Sequence, residues 1–209
     1  MSWDRGVCWH LSLVTAATVE PITLDEAKLQ VRRTHVTDDD QYLEDLCIPA
    51  VRSEAERATG RQLMTATWDL VLDRFPICTT YIELPRPPLQ LVSSVTYVDE
   101  NGDDQTLSEY DYTVDAPVGP TCQRGRILLN YAEVWPITRC QPNAVTVRFV
   151  AGYGSTPTDV PPELRRIMLA DLGTMYEHRE NLIVGQGYTV SSMPFYQTRY
   201  EKFRSHPRA

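Results

Sequence analysis

The spacing of apolar residues changes twice along the 209-residue chain, and this change constrains the fold more than any single motif. Before residue 62 and after residue 154, apolar residues recur every three or four positions, as on one face of a helix. Between these points they alternate, and in TATWDLVLDRF the residues Trp68, Leu70 and Leu72 fall on one side. Because these strands follow one another without intervening helices, we expect antiparallel pairing. The pattern predicts an α+β fold, with a helical core formed by N- and C-terminal helices and a β-rich antiparallel insertion.

These boundaries divide the chain into five predicted parts. The parts are an N-terminal segment (1–20), the first part of the helical core (21–61), the β-rich insertion (62–154), the second part of the helical core (155–181) and a C-terminal arm (182–209). We expect the two helical parts to pack together and the insertion to project from them.

The first and last predicted helices carry recognisable start signals. Thr23, followed three residues later by Glu26, forms a capping box. Pro162 suits the first turn of the last helix, since proline needs no hydrogen-bond acceptor there. The predicted apolar face of that helix consists of Leu164, Ile167, Met168, Leu172, Met175 and Tyr176.

A second helix is predicted to begin after Thr37, whose side chain would cap it. The first turn of this helix would hold three acids, which the helix dipole favours at this end: Asp38, Asp39 and Asp40. Pro49 is expected to kink or divide the helix, and Gly60 to end it. Its apolar stripe is expected to consist of Leu43, Leu46, Cys47, Ala50 and Ala58.

Prolines and one Asn-Gly pair separate the strands of the insertion. YIELP is a predicted strand that Pro85 stops, and a hairpin is expected at Asn101-Gly102. YDYTVD, RILLNY and AVTVRFVAGYG predict further strands. Because proline cannot donate to a strand ladder, prolines at positions 85, 87, 88, 117, 120, 136 and 142 mark strand ends and protected edges.

The charge of the chain limits its partners. The formal net charge is −8 and the sequence pI is about 5.0. This disfavours a protein that grips phosphate backbones, which requires clustered Lys and Arg. A negative net charge suits a surface that DNA passes without binding, since like charges repel. Simple solubility explains the same excess of acidic residues. No stretch approaches the roughly 18 apolar residues of a membrane span, and the first residues do not resemble a signal peptide, so synthesis and use in a cytoplasm are expected.

The cysteines and histidines form no pattern typical of a disulfide framework or a metal site. The five cysteines are odd in number and include no CxxC pair, so reduced thiols are expected. The four histidines are scattered, which disfavours zinc. Cys47 is expected in the core rather than as a nucleophile. The sequence predicts no catalytic residue, no metal and no cofactor.

Two acidic groups leave a choice between cation binding and a local structural role. The acids at 38–40 are more often partners of a helix dipole than metal ligands. A second group crowds the predicted hairpin tip and consists of Asp99, Glu100, Asp103 and Asp104. These residues could hold a loosely bound cation, but their spacing is not that of an EF-hand, and solvated turn residues are expected.

Two motifs carry a resemblance to a known family. They are E-x-x-T-G-R at residues 56–61 and L-P-x-P-P-L at residues 84–89, within an ordered set of segments from about residue 21 to residue 180. In this order they resemble the head–tail connector, or adaptor, proteins of tailed bacteriophages, including the gp6-like and gp8-like groups. Similar proteins occur in phage-derived gene transfer particles.

The resemblance implies a structural protein without enzymatic activity. Such adaptors form a ring under the portal protein, extend the DNA channel without binding DNA specifically, and offer a surface to a tail-side stopper or tail-terminator protein. The symmetry of the portal implies a homo-oligomer of twelve copies, located in the neck of a virion or phage-like particle. The ring would assemble in the cytoplasm of a bacterial host, with no membrane partner.

Two sets of residues are candidate sites under this hypothesis. The C-terminal arm is rich in aromatic residues, Met and Arg, which are enriched at protein interfaces. It is expected either to dock on the portal or to fold back on its own helices; the proposed docking residues are Tyr188, Val190, Met193, Phe195, Tyr196, Tyr200 and Phe203. The proposed channel-lining acids are Asp38, Asp39, Asp40, Glu44 and Asp45.

Two alternative functions stay open at the level of sequence. One is another phage neck or tail-completion protein, which differs only in its position in the particle. The other is a cytosolic hydrolase or carbohydrate-binding module, in which Trp68, Tyr97 and Trp135 would stack on a ligand, although core positions are expected for these three aromatic residues.

Overall fold

The computed structural model describes residues 8–77, 79–177 and 199–205. The helices in these ranges are α1 (Leu24–Gln30), α2 (Asp40–Tyr42), α3 (Ile48–Thr59) and α4 (Pro162–Glu177), with a π-helical turn at Leu43–Cys47 and 3-10 turns at Pro157–Asp159 and Glu201–Phe203. The strands are β1 (Trp9–Thr15), β2 (Ala66–Leu72), β3 (Tyr81–Leu84), β4 (Leu89–Val98), β5 (Asp104–Thr106), β6 (Tyr112–Asp115), β7 (Gly125–Leu129) and β8 (Val145–Ala151).

The strands form two sheets in which the paired named strands are antiparallel. The larger sheet has the order β1-β2-β8-β4-β5 and the smaller one β3-β7-β6. The predicted hairpin is present, since β4 pairs with β5 and Gly102 in the turn has φ +96°. The α+β class and the antiparallel pairing predicted from sequence are confirmed.

The buried apolar residues fall into two clusters. The helical cluster combines residues between positions 22 and 64 with residues between positions 160 and 203. The β cluster draws its members from positions 70 to 151, and Leu70, Val147 and Phe149 are fully buried at its centre. All six residues predicted for the apolar face of the last helix belong to the helical cluster or pack against it.

The first strand was not predicted. β1 forms an edge of the larger sheet and pairs with β2, Leu11 lying opposite Leu70. Five of its seven residues are exposed, but its sequence WHLSLVT places Trp9, Leu11 and Leu13 at every second position, so the alternation typical of a half-buried strand was present and was overlooked. The prediction of an N-terminal segment separate from the insertion therefore missed a strand that completes the insertion's sheet.

The second helix begins later than predicted. α2 starts at Asp40, and its N-cap is Asp39, which makes no side-chain capping bond, so the cap assigned to Thr37 is wrong. A π-helical turn then leads into α3, in which Pro49 occupies the first turn. The extra residue per turn rotates the helix face, and Leu46, predicted for the apolar stripe, is 54% exposed. The division expected at Pro49 is thus a change of helix type.

Two further helix signals are confirmed. Thr23 accepts a hydrogen bond from the backbone of Glu26, whose carboxylate accepts one from the backbone of Thr23 in return. Gly60 ends α3 in the left-handed conformation, with φ +66°, which glycine adopts without a steric penalty.

Candidate functional site

The E-x-x-T-G-R motif lies where α3 leads into the sheet. Glu56 is 7% exposed, and its carboxylate accepts hydrogen bonds from the backbone of Leu63 (3.1 Å) and the side chain of Gln62 (3.0 Å). Arg52, one turn earlier on α3, donates a further bond at 3.3 Å. Burial raises the pKa of Glu56, and the bonds from Leu63 and Arg52 partly offset that rise. Glu56 thus fixes the chain at the point where it leaves the helix.

The L-P-x-P-P-L motif contacts the same point from the β side. The carbonyl of Pro87, which precedes a cis bond to Pro88, accepts a hydrogen bond from the backbone of Gln62 at 3.1 Å. Arg86 has φ +63°, and its guanidinium lies 5.0 Å from the ring centroid of Trp68. The indole N–H of Trp68 donates to the side chain of Gln62 at 3.1 Å. The two motifs therefore meet around Gln62, and we call their contact region the junction.

Arg61 ties a third part of the chain to the junction. Its side chain is 1% exposed and donates to the carbonyl of Phe203 and to the carbonyl of Cys122 (2.8 Å). Nearby, Tyr153 donates to the carbonyl of Pro120 at 2.6 Å, and burial raises the pKa of Tyr153 to about 12. One buried guanidinium thus joins the end of α3, the loop before β7 and the C-terminal residues.

Two of the predicted docking residues lie in the helical cluster. Tyr200 and Phe203 are 1% and 2% exposed, and the hydroxyl of Tyr200 donates to Asp171 on α4 at 2.7 Å. The backbone N–H of Ser205 donates to the carbonyl of Thr59 at 2.7 Å. The other predicted docking residues lie outside the described residues: Tyr188, Val190, Met193, Phe195 and Tyr196. We call residues 199–205 the terminal segment; it packs on its own helices.

The predicted channel acids divide into two groups. Asp40 forms an ion pair with Lys28 (3.0 Å), and Asp39 accepts a hydrogen bond from the hydroxyl of Tyr176, so both are committed to contacts within the helical region. The other three predicted acids are exposed: Asp38, Glu44 and Asp45. They lie before α2 and on the π-helical turn, and present negative charge to solvent.

An apolar groove of about 510 Å³ opens on the β region, and sequence reasoning missed it. Its lining residues are 74–77, 79, 80, 129 and 133–138. Phe75 and Trp135 stack at 4.9 Å with an interplanar angle of 9°. Ile77, Val134 and Ile137 are 71%, 80% and 69% exposed, which is unusual for three large apolar side chains that line one groove. We call these three residues the groove rim; they come from two loops, and no periodic pattern marks such residues.

The acidic hairpin tip has a structural role. One carboxylate oxygen of Asp99 accepts hydrogen bonds from the backbone N–H groups of Asp103 (3.0 Å), Asn101 (2.9 Å) and Gly102 (3.0 Å). These bonds, that from Asp103 most of all, lower the pKa of Asp99. Across residues 8–77, 79–177 and 199–205, no group of three or more His, Cys, Asp or Glu side chains could hold a metal ion.

The aromatic side chains considered as ligand platforms are engaged within the protein. Trp135 stacks on Phe75, Tyr97 contacts the same ring edge-on at 5.6 Å, and Trp68 lies under Arg86. Of the cysteines in the described ranges, Cys8, Cys47, Cys122 and Cys140 are free thiols. Within the part of the chain that the structure describes, no helix has the length and apolar content to cross a membrane.

Comparison with known proteins gives a likeness of structure rather than of sequence. No family model matches the chain, and no curated protein matches it. Solved structures with a similar fold include a chain of the virion of a native gene transfer agent (GTA) particle, with a TM-score of 0.74 and 20% identity, covering 95% of this chain and 97% of that one. Two others come from GTA necks. One is from the neck of an empty particle computed with C6 symmetry, with a TM-score of 0.73 and 20% identity, covering 96% of this chain and 97% of that one. The other is from the neck of a native particle computed with C12 symmetry, with a TM-score of 0.68 and 20% identity, again covering 96% of this chain and 97% of that one.

At this level of identity, the likeness shows a shared fold over nearly the whole length of both chains. Because the match is not confined to one common motif, the α+β arrangement as a whole recurs in chains of a phage-like particle.

Proposed function

We propose that this chain is a structural head–tail adaptor, without enzymatic activity, that forms a ring under the portal of a tailed phage or phage-like particle. The observation that carries the proposal is the likeness to GTA virion and neck chains over 95% and 96% of this chain. The resemblance of the E-x-x-T-G-R and L-P-x-P-P-L motifs to gp6-like and gp8-like adaptors supports it independently. In this role the chain extends the DNA channel and docks the next tail-side protein, a stopper or tail terminator.

The ring is proposed to contain twelve copies, as the portal symmetry and the C12 neck structure suggest. Each copy in such a ring makes a heterologous contact, one face against a different face of its neighbour, until the rotation closes. A fixed angle between the two faces is then needed. The junction supplies rigidity of this kind, since Glu56, Gln62 and Arg61 connect α3, the L-P-x-P-P-L turn and the terminal segment through buried hydrogen bonds.

The groove rim is proposed to contact a neighbouring copy. Ile77, Val134 and Ile137 are exposed apolar residues in loops of the β region. The exposed acids among the predicted channel residues, by contrast, lie in the helical region. Burying three such side chains on association removes apolar surface from water, which stabilises the contact by about 1.5 to 3 kcal/mol per side chain before the cost of association. This surface fits an apolar patch of the next copy better than a phosphate backbone.

The portal contact is proposed to come from the C-terminal arm. Tyr200 and Phe203, which are buried against α3 and α4, would anchor the arm on its own subunit. The contacts with the portal would come from Tyr188, Val190, Met193, Phe195 and Tyr196. An anchored arm loses less conformational entropy on docking than a free tail does, because one of its ends is already fixed.

The acids at the start of the helical region are proposed to face the channel. Asp38, Glu44 and Asp45 are exposed and carry this proposal, and Asp39 and Asp40 belong to the same acidic set although Lys28 pairs with Asp40. A ring of such acids repels DNA and lets it pass without specific binding. Mapping the lumen-facing residues of an assembled ring tests this proposal, and a basic lumen would refute it.

The test of the main proposal locates the chain in a particle. Particles purified from cells that encode the chain are imaged by electron microscopy, and each neck density is assigned to a protein. We expect this chain in a twelvefold layer directly below the portal. A position further down the neck would make it a tail-completion protein, and absence from the particle would sink the proposal.

A paired variant tests the groove rim in the same particles. Ile77→Asp combined with Val134→Asp should abolish ring formation while leaving the fold intact, because both side chains point to solvent in the free chain. Val118→Asp is the matched control, since Val118 is 89% exposed but lies outside this groove. Equal particle yields from the double variant and the control would show that the groove rim makes no ring contact.

A further inference from the structure

The terminal segment packs against the helical cluster. Phe203 inserts among the buried residues, and the backbone of Ser205 pairs with Thr59 at the end of α3. The Ser205 hydroxyl donates to the carbonyl of Gly60 at 3.1 Å. At the other end, Tyr200 reaches Asp171 on α4. The segment therefore bridges α3 and α4, and the contacts that bridge them are with residues far away in sequence.

Asp171, which accepts the hydrogen bond from Tyr200, is unusual because it is a buried acid. It is 4% exposed, and one carboxylate oxygen accepts the hydrogen bond from Tyr200 at 2.7 Å. The other oxygen, Oδ1, is buried and has no hydrogen-bond donor among the described residues. Arg199 lies 3.8 Å from it, beyond hydrogen-bond distance, and Glu54 on α3 contributes a like charge. A buried carboxylate with one oxygen lacking a donor is costly when ionised.

We propose that residues 199–205 form a latch controlled by the protonation of Asp171: the latch is held firmly when Asp171 is protonated and loosens when Asp171 ionises. Protonation removes the buried negative charge beside Glu54, while the Tyr200 hydroxyl continues to donate to the carboxyl group. Ionisation restores the charge, and release of the segment hydrates it. The latch is a property of the isolated subunit and does not depend on the adaptor role.

The direction of the pH dependence follows from the burial of Asp171. Burial raises the pKa of Asp171 to about 6, although the bond from Tyr200 and the charge of Arg199 oppose that rise. A carboxyl whose pKa is higher in the closed state than in the open state binds its proton more tightly when closed. Stabilisation of the closed latch is therefore fully present below about pH 4 and is lost as the pH rises through about 6.

Release would change the surface of the subunit. Tyr200 and Phe203, both buried when the latch is closed, would become available to a partner, and so would the apolar surface of α3 and α4 beneath them. At neutral pH the closed latch is thus less stable than at pH 5, and its release would convert the anchor formed by Tyr200 and Phe203 into two aromatic residues usable for docking.

Hydrogen–deuterium exchange of the full-length protein, corrected for the intrinsic pH dependence of exchange, tests the latch. Between pH 5 and pH 7.5 we expect the opening equilibrium of peptides from residues 199–205 to rise about tenfold. Asp171→Asn mimics the protonated carboxyl and should remove this pH dependence while keeping protection high. Tyr200→Phe should reduce protection across the whole range, since it removes the one donor that Asp171 accepts from this segment.

Glu163→Gln is the matched control. Glu163 pairs with Lys202 of the same segment at the surface, where both side chains are about half exposed, so its removal should leave the tenfold pH response unchanged. The latch is refuted if Asp171→Asn keeps the parental response, or if Glu163→Gln abolishes it. If Asp171→Asn folds poorly by circular dichroism, the unsubstituted protein provides the test. An opening equilibrium of residues 199–205 that does not change between pH 5 and pH 7.5 overturns the inference.

Discussion

The helical cluster and the β cluster differ in how far apart along the chain their packed residues lie. The buried residues of the β cluster all lie between positions 70 and 151, and Trp9 and Leu11 of β1 pack against them. The helical cluster combines positions 22 to 64 with positions 160 to 203, so the whole β region lies between its two halves in sequence. Closing a longer loop costs more conformational entropy. The helical cluster therefore depends on a few long-range contacts at the junction and the terminal segment, while the β cluster depends on neighbouring strands.

This difference indicates which substitutions do the most damage. In the β cluster, the central strands carry ladder hydrogen bonds on both sides, as β8 does with β2 and β4, and so support buried side chains such as Val147 and Phe149. In the helical cluster, single polar side chains hold separate parts of the chain together. Substitutions at such side chains are expected to cost more than apolar truncations of similar size.

The largest effect is expected for Arg61→Ala. The change leaves the buried carbonyls of Phe203 and Cys122 without their donor and opens a cavity at the junction. With charge-assisted hydrogen bonds at about 2 kcal/mol each, the free energy of unfolding should fall by about 4 kcal/mol. Urea unfolding followed by circular dichroism measures this loss.

Arg57→Ala is its control on the same helix. The Arg57 side chain is 73% exposed and forms an ion pair with Glu54, three residues earlier on α3. Its loss should change the free energy of unfolding by less than about 0.5 kcal/mol. If the two arginine variants unfold at the same urea concentration, the junction does not hold the helical cluster together in the way described.

The next effect compares the two clusters directly. Leu164→Ala and Leu70→Ala truncate fully buried leucines, one in each cluster, and each should cost about 3 kcal/mol. Because the junction couples the clusters, both variants are expected to unfold in a single transition seen alike by far-UV circular dichroism and by tryptophan fluorescence. Two separate transitions in Leu70→Ala, with the helical signal lost later, would mean that the clusters unfold independently.

Features set by neighbouring residues could be predicted from the sequence. The capping box at Thr23, the left-handed Gly60 and the hairpin at Asn101-Gly102 each involve residues within a few positions of one another. Alternation in β2 identified Leu70 and Leu72 as buried. The signal in each case is local, so one stretch of sequence contains all of it.

The rest depended on contacts that a single sequence does not display. Arg61 and Phe203 are 142 residues apart, and nothing near either one indicates their hydrogen bond. The groove rim gathers side chains from two loops without a period. β1 was overlooked although Trp9, Leu11 and Leu13 alternate with polar residues, and Leu46 was wrongly placed on the apolar stripe because a π-helical turn shifts the helix face. The two motifs were found, but their meeting at Gln62 required the fold.

The smallest effect concerns α1, the part of the helical cluster that is fixed by local contacts. Thr23→Ala removes one half of the capping box and should lower the free energy of unfolding by about 1 kcal/mol. Thr37→Ala is the matched control: the sequence pattern assigned a cap to Thr37, but α2 begins at Asp40 and the Thr37 contact to Asp40 uses its backbone carbonyl, which alanine keeps. The control should therefore shift thermal unfolding by less than the error of the measurement. If Thr37→Ala lowers the free energy of unfolding as much as Thr23→Ala does, the second helix begins directly after Thr37, as the sequence pattern predicted. Side-chain capping would then stabilise the acid-rich turn as much as it stabilises α1.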